Sequence, residues 1–176
     1  MSTWSCTYLS AAVALTAAML SGAAAMAADL PKEGSYKGSY AGVGTLKSSQ
    51  VGKDRMFEVF DETGLEVTDG FLDHTTWHCW GTGDFTNGMG NEQGVCVGTD
   101  TDGDKVITSF VSEKHTPDQK NWGQKQTCTG GTGKYVGATC SETDVMHLNE
   151  FPPASEGTYV LHVTIEGIYK FQAPDP

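Results

Sequence analysis

His74-x-x-x-His78 is the first spacing in the chain that suits a metal. On a helix the two imidazoles would share a face and reach one zinc ion. The neighbouring Thr75, Thr76, Trp77 and Trp80 favour a strand instead. On a strand the rings stand ~13 Å apart, beyond joint reach of one ion. No metal site is expected. The strand reading puts His74, Thr76, His78 and Trp80 on one face and Thr75, Trp77 and Cys79 on the other. His74, His78, Trp77 and Trp80 are the candidate ligand-binding residues, and with its face inward the set His74, Thr76, His78 and Trp80 would line a cavity wall. Which face points inward stays open. Trp77, Trp80 and Trp122 offer flat surfaces for a ring or a sugar, and equally fill a core.

Other constellations fall short of chemistry. Asp100-Thr101-Asp102-Gly103-Asp104 opens like a calcium loop, but Lys105 stands where that loop needs glycine and Val111 where it needs glutamate. It reads as an acidic hairpin turn, with a weak calcium site as the alternative. Gly133-Lys134 suggests a phosphate loop, but Cys128 replaces its first glycine and Tyr135 its Ser/Thr. No serine sits in a G-x-S-x-G setting. Asp61-Glu62-Thr63-Gly64 reads as a turn, and the excess of acid as a solvated outer surface. No catalytic residue and no cofactor is assigned.

The cysteines point to export and to disulfides. Residues 1–27 carry no charged side chain, include an apolar alanine-rich run, and end in Ala25-Met26-Ala27, an A-x-A cleavage signature. A signal peptide over 1–27 is expected, leaving Cys79, Cys96, Cys128 and Cys140 in a mature, exported chain that is periplasmic or secreted and lacks a membrane span. An even number of cysteines in such a chain implies two bridges. Asn87-Gly88 is a strong type I′ hairpin signal. If that turn has two residues, Thr86 opposes Met89 and counting back sets Cys79 opposite Cys96, in a non-hydrogen-bonded pair with Cα atoms ~4.5 Å apart. Cys128–Cys140 follows by elimination. A tight turn at Gly131-Thr132 would oppose Cys128 to Tyr135, so this bridge joins other strands or spans a looser connection.

The elements that must position these residues are strands. The clearest is Thr158 to Phe171, where Tyr159, Leu161, Val163, Ile165, Tyr169 and Phe171 alternate with polar residues. Further strands are expected at 36–46, 56–61, 66–79, 94–99, 106–112, 124–129 and 134–141, with Asp102-Gly103 as a second hairpin turn. No mature segment of ten residues has a helical period. The 22 glycines among 176 residues, about one in eight against ~7% in average chains, punctuate these strands. Gly81-Thr82-Gly83-Asp84-Phe85 echoes Gly131-Thr132-Gly133-Lys134-Tyr135, as though the two marked equivalent barrel corners. The fold class is all-β: one small antiparallel barrel of about eight strands over 28–176. With 22 acidic and 11 basic residues the net charge is −11, which argues against a nucleic-acid partner.

Gly130-Gly131-Thr132-Gly133-Lys134-Tyr135-Val136-Gly137-Ala138 resembles the G-G-T-G-K-[FY]-x-G-A segment of allene oxide cyclase-like and dirigent-like barrels. Uncharacterised exported bacterial proteins with that barrel look similar. The resemblance covers about nine residues and the all-β rhythm. The family pattern usually continues to a glycine where this chain has Cys140. It implies an eight-stranded calycin-type barrel with a central cavity and carries over no catalytic residue. Three functional expectations follow. The first is binding of a small apolar or aromatic ligand in the cavity. The second is a cyclase- or dirigent-like enzyme that steers a reactive intermediate. The third is a structural or interaction protein of the cell envelope, including a homo-oligomer built through an exposed barrel face.

Overall fold

The computed structural model describes residues 31–148 and 157–172. The expected signal peptide lies outside them. Eight antiparallel strands close into a barrel in up-and-down order, each bonded to its sequence neighbours and β1 to β8. They are β1 (Glu33–Gln50), β2 (Arg55–Thr68), β3 (Thr75–Thr86), β4 (Met89–Thr99), β5 (Lys105–Ser112), β6 (Asn121–Gly131), β7 (Ala138–Leu148) and β8 (Thr158–Phe171). Closure leaves no free sheet edge. No helix among the described residues is long and apolar enough to cross a membrane.

The hairpin arithmetic holds. Asn87 and Gly88 take φ of 55° and 77°, as a type I′ turn requires. Thr86 pairs with Met89 and Cys79 with Cys96. These cysteines form a disulfide with Cα atoms 4.0 Å apart. Cys128 and Cys140 form the second, between β6 and β7. Their connection is not tight: a short 3₁₀ turn, Gly133–Tyr135, occupies it.

Several boundaries differ from expectation. The strand expected at 66–79 is two strands, because residues 69–74 turn at the barrel end, with Leu72 and His74 at positive φ. The turn expected at Asp61–Gly64 is the middle of β2. The last strand before β8 starts after the 3₁₀ turn and runs on to Leu148. Gly81–Phe85 lies inside β3, whereas Gly131–Tyr135 ends β6 and forms the 3₁₀ turn, so the two are not equivalent corners.

One barrel end is plugged. Phe71, fully buried in the 69–74 connection, stacks on Tyr169 with ring centroids 4.5 Å apart and meets Tyr135 edge-on at 5.6 Å. The connection is tied down by Thr68, whose hydroxyl donates to the Phe71 carbonyl at 2.8 Å. The backbone N–H of Lys37 donates to the Asp69 carboxylate at 2.7 Å. At the opposite end, His115 in the β5–β6 connection stacks on Trp122 at 4.6 Å and meets Phe85 edge-on at 5.3 Å.

The segment that carries the family resemblance has a structural task. The Lys134 ammonium lies 2.8 Å from both Asp100 and Asp102, and the Lys134 backbone N–H donates to Asp104 at 3.0 Å. Asp100 also accepts the N–H groups of Asp102 and Asp104. Burial works against the Asp100 charge, but Lys134 and these N–H groups hold its pKa below the ordinary value. The lysine of the phosphate-loop-like sequence thus clamps the acidic turn that resembled a calcium loop.

Candidate functional site

The lumen between the two ends holds a cavity of about 490 Å³, within the ~300–1,000 Å³ range of small-molecule sites. Alternation along each strand decides which side chains reach it. β8 turns Leu161, Val163 and Ile165 inward, as its pattern predicts. β3 turns Trp77 and Cys79 inward.

The lumen is not all apolar. On β2 the inward positions carry Glu58, Phe60, Glu62, Gly64 and Glu66, while Val59, Leu65 and Val67 face outward and are exposed. On β7 Glu142 and Asp144 point inward, 1% and 3% exposed. Glu92 joins them from β4. The expectation that the acidic excess is a solvated outer coat is therefore wrong for these six side chains.

Their partners are specific. Glu142 accepts the Tyr36 hydroxyl at 2.5 Å and the Gln126 amide at 3.0 Å. Glu66 accepts the Trp77 indole N–H at 2.6 Å on Oε2, and its Oε1 has no hydrogen-bond partner among the described residues. Gln124 donates to Asp144 Oδ2 at 3.5 Å, and Asp144 Oδ1 has none. Glu62 accepts the Tyr159 hydroxyl at 2.7 Å, and Glu58 that of Ser48 at 2.9 Å. The Trp122 indole N–H, also on the cavity wall, has no partner among the described residues.

Burial raises the pKa of Glu62, Glu66, Glu92, Glu142 and Asp144. Asp144 is pushed up to about 8 by burial and by the Glu142 charge, against the opposing bond from Gln124. Burial lifts Glu142 to about 7 despite Tyr36 and Gln126. Glu66 goes well above the ordinary value through burial and the charge of Glu142. Burial and the charges of Glu58 and Glu62 take Glu92 to about 7. Groups near neutrality can give or take a proton at physiological pH.

Inward glycines make the room. The rings of Tyr36, Phe60 and Phe110 lie against Gly167, Gly81 and Gly94, where a Cβ would collide with them. Glycine at these mid-strand positions lets large rings hug the wall instead of filling the lumen. The glycine excess is thus only partly a matter of turns.

The candidate residues of the Trp77 strand part company. Trp77 lies on the cavity wall. His78 and Trp80 lie on the outer face, their rings 3.9 Å apart, with His78 Nε2 2.9 Å from Asp61. His74 precedes β3, its Nδ1 2.8 Å from Asp73. Among the described residues no group of three or more His, Cys, Asp or Glu is arranged to hold a metal ion.

Sequence reasoning missed the luminal acids. Their signal was parity: Glu58, Glu62 and Glu66 share one face of β2 with Phe60. It was hidden because Val59, Leu65 and Val67 form the more apolar face, and that face points out. Comparison with protein-family models, with curated proteins and with solved structures finds no match to this chain.

Proposed function

We propose that the protein is an exported barrel that binds a small apolar or aromatic molecule in its lumen. The observation that supports this reading is the cavity of about 490 Å³, walled by Trp77, Phe60, Phe110 and the apolar side of β8 and provided with a few convergent polar groups. Two disulfides suit an oxidising compartment. Titration with the neutral fluorophore N-phenyl-1-naphthylamine tests it. A saturable, one-to-one enhancement is expected, lost in Val163→Trp, where an indole fills the lumen. A non-saturating signal, or one unaffected by that substitution, overturns it.

A second reading, a cyclase- or dirigent-like enzyme, is favoured by Asp144 and Glu142. Carboxyl groups with pKa of about 8 and about 7 are suited to general acid catalysis. The likeness of the Gly130–Ala138 segment to those barrels agrees with it.

A further inference from the structure

Resting on the cavity reading above, we propose a narrower ligand class: the lumen takes an organic ammonium ion that carries an apolar body. Glu66 from β2 and Glu142 and Asp144 from β7 reach the same space, close enough for each pair to feel the other's charge. No Lys, Arg or His among the described residues lines that cavity. Glu66 Oε1 and Asp144 Oδ1 are buried acceptors without a donor among the described residues, an arrangement that costs free energy until a donor arrives. One ammonium ion carries enough N–H groups to serve both acceptors, one from β2 and one from β7.

The walls agree with that chemistry. Trp77, Phe60 and Phe110 present aromatic surface, which attracts a cation through the ring quadrupole. Leu161, Val163 and Ile165 leave an apolar stripe for the rest of the molecule. An anion would meet like charge from five carboxyl groups. A neutral alcohol would satisfy an acceptor but no charge. A bare metal ion lacks the apolar body that this stripe suits, and the ligand geometry for one is missing among the described residues.

Ammonium binding ionises the carboxyl groups and releases their protons to solvent, so affinity rises with pH through the range where they titrate. Tyr36 and Tyr40 of β1 and Asp73 before β3 face the Glu66, Glu142 and Asp144 group, while Glu58 and Glu62 of β2, Glu92 of β4 and Tyr159 of β8 form a second group in the lumen, joined to the first through Tyr40. His115 stands 4.0 Å from Glu92.

Three matched probes test this by tryptophan fluorescence and calorimetry on the oxidised protein: 2-naphthylmethylamine, 2-naphthalenemethanol and 2-naphthoate. At about pH 8.5 the amine should bind about tenfold or more tighter than the alcohol, a cation–π and ion-pair gain of ordinary size. The naphthoate should bind weakest. The amine's affinity should rise from about pH 6 to about pH 8.5 with proton release, while the alcohol's should not. Glu66→Gln and Asp144→Asn should each shrink the amine's advantage over the alcohol. If the alcohol binds as tightly as the amine, or amine affinity is flat or falls with pH in the unaltered protein, the ammonium proposal fails and cavity binding survives. If none of the three saturates, both fail.

Discussion

Phe71 sits in a connection, yet it is as buried as any residue in the barrel. It meets Tyr36, Tyr135, Tyr169 and Phe171, and it closes one end of the lumen. Phe71→Ala is expected to cost about 3–5 kcal/mol by loss of buried surface and creation of a cavity, read from urea unfolding. The neighbouring Leu72, at φ 67°, shows what holding that ring in place requires. A branched residue there is strained, of order 1 kcal/mol, and persists because both side chains are sealed against the barrel end. The luminal acids show the opposite economy. Each is placed by its own strand's alternation, and Glu62, Glu66, Glu92, Glu142 and Asp144 keep their protons more tightly than a carboxyl group in water.

At the scale of elements, paired strands share one space by matching a ring with a missing side chain. Phe60 of β2 covers Gly81 of β3, and Phe110 of β5 covers Gly94 of β4. Gly81→Ala should overpack the wall, drive the Phe60 ring toward the lumen and destabilise the barrel by about 1–3 kcal/mol. The same change in a Phe60→Leu background should cost clearly less, since the obstructing ring is gone. A double-mutant cycle by urea unfolding measures the coupling, and additive effects would refute the pairing. The β6–β7 connection shows a second device of this scale. Lys134 leaves the 3₁₀ turn to bind Asp100 and Asp102 of the β4–β5 turn. One positive charge thereby fastens two connections at the plugged end.

For the whole molecule, the interior acids set the pH dependence. The unfolded chain releases their protons near ordinary carboxylate pKa values, whereas the barrel holds those of Glu92 and Glu142 to about 7 and that of Asp144 to about 8. The folded state therefore binds more protons between those limits, and stability falls as pH rises through them. Without ligand, the melting temperature should decline from about pH 5 to about pH 9. Asp144→Asn and Glu142→Gln should flatten the decline, and a flat profile in the unaltered protein would contradict the burial of these groups. Asp100 runs the other way. Its lowered pKa supports the fold above the ordinary carboxylate value and is lost in acid below it.

Local physics made much of this legible in the sequence. The Asn87-Gly88 turn needs only its own backbone preferences, so it set the β3–β4 register and with it the Cys79–Cys96 bridge. The alternation of β8 is strong enough to predict both its span and its inward face. Two things needed the closed barrel. A strand of period two has two faces, and only its neighbours decide which one faces the lumen. The more apolar face of β2 points outward, because Glu62 and Glu66 find Tyr159 and Trp77 inside. The lumen is likewise invisible from any one strand: its acids come from β2, β4 and β7, its rings from β1, β2, β3, β5, β6 and β8, and its room from glycines that each lie beneath a ring.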